Sequence, residues 1–417
     1  MRILQVCKKF PYPVMDGEAV AVRALALGLR EAGCEVDLLS FNTSKHRVAD
    51  PQAVDLPHYR HIASSDLDND VVWWKVARSL LRRGSYHVTR FECAAFRGQL
   101  RAMLQVHDYD AIVLETTILA TYIPVIRELT TAPVLLRAHN VEHEIWDRLG
   151  RRGSLLRRPV YRELARRLRR FERAYLPQAD VLLPITARDG EAFRRDLGYH
   201  GPVHVVPVGY NPRKLRGGST AVAKTGGGAH GRAPLSMSFI GSLDWAPNLE
   251  GLDWFLERVW PRLHTAFPTL QFHVAGRKTP DRILSLQLPN VFVHGEVPDS
   301  KAFLRSHPLT VAPILSGSGT RVKILDAMST GRVVLTTAMG LEGIDATDRR
   351  EVLVCDRAVD FVTQLNWLRE DATRAERLGE AATGLIRDHF DFARIGYRLA
   401  SVIRDRRAAS TVGGAVR

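Results

Sequence analysis

No stretch of this chain approaches the roughly 18 consecutive apolar residues that a bilayer span requires. The first apolar run, Met1 to Cys7, is short and leads straight into Lys8-Lys9, unlike a secretory signal. The expectation is a protein that is soluble or lies on a membrane surface. Cysteine is scarce: Cys7, Cys34, Cys93 and Cys355 stand apart, without the spacing of a metal site or a redox pair. Such usage fits a reducing cytoplasm. The three-glycine dinucleotide fingerprint is missing, which argues against NAD binding. Neither a Gly-x-Ser-x-Gly elbow nor a P-loop Gly-Lys-Ser/Thr run occurs, so those hydrolase and NTPase classes are set aside. There is no short-period internal repeat, which excludes a solenoid.

What is present is a globular composition, 45% apolar and 25% charged. At 417 residues the chain exceeds one ordinary core, and two domains of about 200 residues each are expected. The net charge of +14 is unevenly spread: between Arg148 and Arg173 lie eleven arginines against two glutamates. Tyr161, Leu164, Leu168, Phe171 and Tyr175 recur there at helical spacing, so the Arg148–Arg173 segment reads as a helix with one buried stripe and an arginine-coated outer face. Such a face is either plainly solvated or adsorbs to anionic lipid head groups, where each cation adds on the order of 1 kcal/mol. Val71-Val72-Trp73-Trp74 is a second interface candidate, or else core. Nucleic acid is not expected, because no nucleic-acid motif or aromatic stacking array accompanies the arginines.

Short apolar runs alternate with helical patterns. Strands are expected at Arg2–Val6, Val36–Phe41, Ala111–Leu114, Pro133–Arg137, Val181–Ile185 and Val203–Val208, with a helix at Ala19–Ala32. After the Gly-, Lys- and Arg-rich stretch from Arg213 to Ala233 the alternation restarts. Strands are then expected at Leu235–Ile240, Gln271–Ala275, Val291–His294, Leu309–Ile314, Val333–Thr337 and Val352–Cys355. Helices are expected at Leu249–Ala266, at Val322–Thr330 and over most of Val359–Arg404. Strands separated by helices imply parallel, doubly wound sheets and an α/β fold. The division is residues 1–211, a flexible linker 212–233, a second domain 234–390, a C-terminal helix 391–406 packing towards the first domain, and a disordered tail 407–417. Two such units bind ligands at the carboxyl ends of their strands, in the cleft between them.

The segment Ser316-Gly317-Ser318-Gly319-Thr320-Arg321-Val322-Lys323 follows a buried strand and opens a helix. A helix start offers unpaired N–H groups and the positive end of the macrodipole, and glycines let that backbone approach an anion. Arg321 and Lys323 add charge-assisted hydrogen bonds, so the segment suits a phosphate. Asp326, about two turns beyond Ser318, can accept from a ribose hydroxyl. The bland reading is a glycine turn before a surface helix. His139 stands where strand Pro133–Arg137 ends, a usual place for a site residue, although a histidine there often only satisfies local backbone. His139 and His143 are four apart, yet no third ligand has metal spacing. Asn140 can cap the next helix, with Glu142 in its first turn. The loop from Lys8 to Glu18 turns at Asp16-Gly17 into a helix, as an acceptor or phosphate loop would. The turn Gly241-Ser242-Leu243-Asp244-Trp245-Ala246-Pro247-Asn248 and the loop Glu342-Gly343-Ile344 also follow strands.

In this order, the motifs resemble the family-4 retaining glycosyltransferases, whose GT-B architecture is two Rossmann-like domains facing across a cleft. The resemblance runs from Arg2 to about Arg404. It is nearest the bacterial branch with a Pro-Tyr-Pro…Asp-Gly loop, a His-Asn-Val-Glu-His segment and an Asp-Trp-x-Pro-Asn turn, which serves exopolysaccharide and cell-surface glycans. The resemblance implies transfer of a sugar from a nucleotide-diphosphate donor (UDP or GDP) to a glycan or lipid-linked acceptor. Anomeric configuration would be retained, without metal or other cofactor. It implies His139, Arg321 and Lys323 as catalytic residues. Gly17, Gly241, Asp244, Ser318, Gly319, Thr320, Asp326, Glu342, Gly343 and Ile344 would bind the donor, and Asp16, Glu18, Asn140 and Glu142 would line the acceptor cleft. The family's Glu-x7-Glu motif has Ser318 for its first acid and Asp326 for its second. Ser242 and Asn248 stand where the family has Arg and Lys, so Arg321 and Lys323 are expected to supply the diphosphate's countercharge. The location implied is the cytoplasm, peripheral at the inner face of the plasma membrane.

Two other classes compete. A sugar-nucleotide epimerase or phosphorylase on the same fold would need acid/base carboxylates in the first domain, where Glu142 is the candidate, or a lysine placed for pyridoxal, which has no candidate context. A non-catalytic basic membrane- or nucleic-acid-binding protein would use the charge but leave the strand-end motifs unexplained.

Overall fold

The computed structural model describes residues 1–14, 16–69, 85–152, 158–211, 235–316, 320–371 and 373–414. The chain forms two compact units, Met1–Gly209 with Phe392–Arg417, and Tyr210–Asp391. The expected linker and the Val71–Trp74 segment lie outside the described residues.

The first unit is a six-stranded parallel sheet of β1 (Arg2–Cys7), β2 (Glu35–Thr43), β3 (Ile62–Leu67), β4 (Ala111–Leu114), β5 (Val134–Ala138) and β6 (Val181–Pro184), in the order β3-β2-β1-β4-β5-β6. Successive side chains on a strand point to opposite faces, so a sheet buried on both sides reads as continuous apolar sequence. Ile3, Val36, Val113 and Leu135 pack under helices Gly17–Glu31 and Phe392–Gly414. Leu4, Leu39, Ile112 and Leu136 face the opposite layer, with Phe96, Leu100, Leu168 and Phe193. The helix pair 17–31 and 392–414 crosses at Gly28 and Gly396: a Cβ on Gly396 would lie 2.0 Å from the Gly28 carbonyl. That final helix runs to Gly414, so residues 407–414 continue it and are not the expected disordered tail.

The second unit repeats the plan with β7 (Ser236–Ile240), β8 (Gln271–Ala275), β9 (Val291–Gly295), β10 (Leu309–Ala312), β11 (Val333–Thr336) and β12 (Leu353–Val354), in the order β12-β11-β10-β7-β8-β9. Each sheet therefore has the Rossmann order, three strands winding one way and three the other. A switch point lies between β1 and β4 in one and between β7 and β10 in the other, where strand ends leave room for a ligand.

Several elements depart from expectation. β3, with sequence IASSDL, carries no apolar periodicity and is held by main-chain pairing to β2. Val203–Val208 is not a full strand: His204 and Val206 donate to β6, but only Val203 completes a bridge, and Pro207 has no N–H to offer. The helix expected over 249–266 is broken by a wide turn at Phe255–Val259 just before Pro261, whose ring cannot continue the ladder. The arginine-rich segment is not one helix but two, Glu142–Arg152 and Arg158–Tyr175. On the second, Leu164 and Leu168 are buried as expected, with Phe171 and Tyr175 packed at the margin.

Candidate active site

In the first unit the chemistry gathers at the carboxyl ends of β1, β4 and β5. Glu115 directly follows β4, and Arg137 lies on β5, both fully buried. Arg137 donates to Glu115 at 3.3 Å and to the carbonyls of Ala21 (3.0 Å) and Pro207 (3.2 Å). Gln5 on β1 donates to Glu115 at 2.5 Å, and Tyr59 in turn donates to Gln5 at 2.8 Å. His139, one residue past β5, brings Nε2 to 2.7 Å from Glu115. Burial alone would raise Glu115, but Arg137 and the hydrogen bond from His139 hold its carboxyl down at about 2. An ionised carboxylate can only accept, so Nε2 of His139 carries the proton of this hydrogen bond. The buried ion pair thus fixes the orientation of the ring.

Glu142 opens the helix three residues later, where a negative charge suits the macrodipole. Burial would raise it, but His87 at 3.7 Å, Lys8 and His139 hold it at about 2. His143 turns away from His139. Its Nδ1 lies 2.7 Å from the buried carboxylate of Glu172, which also accepts from the Glu142 N–H at 3.1 Å. The two histidines therefore serve different carboxylates. Among the described residues no group of three His, Cys, Asp or Glu side chains is placed to hold a metal. Asn140 precedes the helix, half-buried.

Asp16 caps helix 17–31 by accepting from the Ala19 N–H at 3.0 Å and forms a close ion pair with Lys9. Glu18 pairs with Lys8 at 3.2 Å and Lys9 at 3.5 Å. Gly17 is the first residue of that helix. The expected acceptor-loop acids are thus bound up with two lysines, and Asp16 satisfies an N–H that an anion would otherwise take.

In the second unit Arg321 is the N-cap of helix Val322–Ser329. Lys323 donates to Asn248 Oδ1 at 2.8 Å and stands 4.8 Å over the Phe239 ring. Burial, with Arg321 nearby, pushes Lys323 down to about 7. Among the described residues no carboxylate pairs with it. Asn248 is itself held by the Ser242 carbonyl at 2.8 Å, and Gly241 makes room: a Cβ there would meet the Asn248 amide nitrogen at 3.0 Å. Arg321 lies 3.9 Å from Glu342. Gly343 takes φ 82°, open to glycine at little cost, and turns the chain so that Ile344 is buried. Asp326 accepts from the Tyr210 hydroxyl, and burial raises its carboxyl to about 7. Asp244 is exposed and engaged by Ser242 at 2.6 Å and Lys278 at 3.1 Å. Thr320 is half-buried before the helix, while Ser318 and Gly319 lie outside the described residues.

The structure thus brings Arg321, Lys323, Asp326, Glu342 and Gly241 to one group of strand ends, and His139 and Glu142 to another. Sequence reasoning missed Glu115, Arg137, Gln5 and Tyr210. Three of these had a signal: a charged or amide side chain in or just after an otherwise apolar strand (Gln5, Glu115, Arg137) must find a partner inside the sheet. Arg277, after β8, was also missed; its guanidinium reaches Ser242 at 3.5 Å.

Residues 16–209 match the family described as glycosyl transferase 4-like domain, and residues 235–371 match the family of glycosyl transferases group 1. A Klebsiella pneumoniae protein, an uncharacterized 44.6 kDa protein in the cps region, is 22% identical over 169 residues, 38% of this chain. The match spans only 44% of that relative's length. Among solved structures, the chain is similar to a sucrose-phosphate synthase from Thermosynechococcus elongatus, with a TM-score of 0.71 and 17% identity, covering 98% of this chain and 100% of that one. It is also similar to HepE of Anabaena in complex with UDP, with a TM-score of 0.65 and 13% identity, covering 97% and 100%. At these identities the structural likeness speaks for the fold.

Proposed function

Because the chain belongs to the family-4 glycosyltransferases of the GT-B class, we propose that it is a retaining, metal-independent enzyme. It moves a sugar from a UDP or GDP donor to a glycan or lipid-linked acceptor in polysaccharide assembly. The observation that carries this reading is Lys323: an ammonium with a depressed pKa, aimed by Asn248, beside Arg321 and without a carboxylate partner among the described residues. A cation in that condition gains most from an anion that arrives with the substrate.

In this reading the bond between the anomeric carbon and the diphosphate breaks, and negative charge grows on the leaving group. Arg321, Lys323 and the first N–H groups of helix 322–329 offset that charge without covalent catalysis. The acceptor hydroxyl bonds to the anomeric carbon from the same face, and its proton passes to the departing phosphate oxygen. His139, oriented by Glu115, hydrogen-bonds the reacting sugar, and Asp326 exchanges Tyr210 for a ribose hydroxyl. No cofactor beyond the donor is required. UDP is the first nucleotide to try, since HepE was solved with it, and the cps-region description of the Klebsiella relative agrees with a surface glycan. None of the described helices is long and apolar enough to cross a membrane. Peripheral attachment at the inner face of the plasma membrane, through helices 142–152 and 158–175, would bring a lipid-linked acceptor within reach.

The test is thermal stabilisation by UDP, GDP, ADP and CDP without added metal, followed by release of nucleoside diphosphate from the matching sugar nucleotide. A ligand at a hundred times its Kd stabilises the folded state by about 2.7 kcal/mol. Stabilisation by none of the four would remove the basis for a nucleotide-sugar donor.

A further inference from the structure

A second cluster of basic side chains in the first unit is not used by the chemistry above. Lys8, Lys9, Lys45, His46, His87 and Arg90 line a hollow of about 150 Å³ at the carboxyl ends of β1 and β2. Among the described residues no carboxylate lines it. Glu18, Asp16 and Glu142 pair with Lys8, Lys9 and His87 from outside that lining. Two members make no ion pair with a carboxylate among the described residues, although Glu142 acts on Arg90 electrostatically. Among the described residues Lys45 has no carboxylate partner. Arg90 reaches His87 Nδ1 at 3.2 Å, but its buried Nε–H has no acceptor among the described residues. A buried guanidinium N–H without an acceptor is costly, and a phosphoryl oxygen would satisfy it.

Charge and geometry narrow the class of ligand. The hollow has room for a phosphoryl group. Donors approach from β1, from the end of β2 and from the segment around 87–90, which suits a group with three terminal oxygens better than a flat carboxylate. The hollow lies at the same sheet edge as His139, and Glu142 links the two, facing His87 and interacting with His139.

We propose that this hollow is a phosphate subsite for the acceptor, so that the enzyme glycosylates an acceptor bearing a phosphoryl group, clamped by Arg90, Lys45, Lys8 and Lys9. The proposal rests on the glycosyltransferase reading, in which the donor diphosphate belongs to Arg321 and Lys323.

The test is calorimetric titration of the full chain with inorganic phosphate, with a hexose 6-phosphate, with the unphosphorylated hexose and with vesicles containing phosphatidate. It is repeated on Arg90→Gln and on Lys45→Gln, whose exposed position spares the fold. Phosphate and hexose phosphate should bind, the plain hexose should not, and Arg90→Gln should weaken phosphate at least about tenfold. Lys45→Gln should weaken it several-fold. Competition by the hexose phosphate identifies a soluble acceptor, and competition by phosphatidate vesicles alone identifies a lipid-borne one. Phosphate binding that is absent, or equal in wild type and both variants, overturns the subsite. UDP stabilisation, measured on the same samples, separates the outcomes: its loss in wild type would count against the donor reading, while its persistence with no phosphate effect would reject the subsite alone.

Discussion

Lys323 should tie nucleotide affinity and protein stability to pH in opposite directions. Its ammonium is held at about 7 by burial and by Arg321, against about 10.4 for a free lysine. A diphosphate beside it favours the charged form, so above pH 7 binding must take up a proton. With a pKa of about 7, the charged fraction falls from about one quarter at pH 7.5 to about one hundredth at pH 9. If only the charged lysine binds, the Kd for UDP rises about 25-fold over that window, about 1.9 kcal/mol. The stability of the free protein moves the other way. The folded pKa lies below the unfolded one, so between about 7 and 10.4 the unfolded chain holds more protons and stability increases with pH. Starting at pH 7.5 keeps Asp326, raised to about 7, mostly out of the window. Calorimetry with UDP at four pH values, alongside Lys323→Met, makes the measurement. The variant should bind weakly and without pH dependence, and its unfolding free energy should lose the rise. A flat wild-type profile, or the same slope in Lys323→Met, would refute the assignment of the phosphate charge to this residue.

Four further variants have expected outcomes. Glu115→Gln removes one partner of a buried ion pair and should cost about 3–5 kcal/mol in unfolding free energy. Because the Glu115 carboxyl is held at about 2 in the folded state, its stabilisation is complete above about pH 4.5 and is lost as pH falls towards 2, so acid unfolding of the variant should be flatter there. Gly241→Ala should push Asn248 off Lys323, given the 3.0 Å approach, and weaken UDP binding severalfold with an unchanged circular-dichroism spectrum. Gly396→Ala, with its Cβ 2.0 Å from Gly28, should lower the melting temperature by the equivalent of about 1–3 kcal/mol or more. Gly98→Ala, in the interior of helix Ala94–Val106 with nothing within 4 Å of its Cβ, should instead raise it by about 0.5–1 kcal/mol.

Much of the candidate site was legible because its signals are local. A buried run followed by glycines and a helix start marks Arg321 and Lys323, since strand, turn and dipole all act within a dozen residues. Asn248 was legible only as a departure from the family pattern. Its role, aiming Lys323 across 75 positions of sequence, depends on β7 and β10 being neighbours. Glu115 and Arg137 were missed for the same reason: each reads as an odd charge beside an apolar strand until β4 and β5 pair.

The sequence by itself determined the α/β class, the positions of eleven of the twelve strands to within about two residues, and the family. Periodicity, turn chemistry and strand-end motifs are properties of contiguous residues. Tertiary structure alone decided β3, which has no apolar pattern and exists because β2 offers it an edge. It also decided which charges meet: His139 with Glu115, His143 with Glu172, and Lys8 with Glu18. A charge in a sequence carries its sign and reach but not its neighbour. Burial then sets its pKa, and burial is fixed only when distant segments pack.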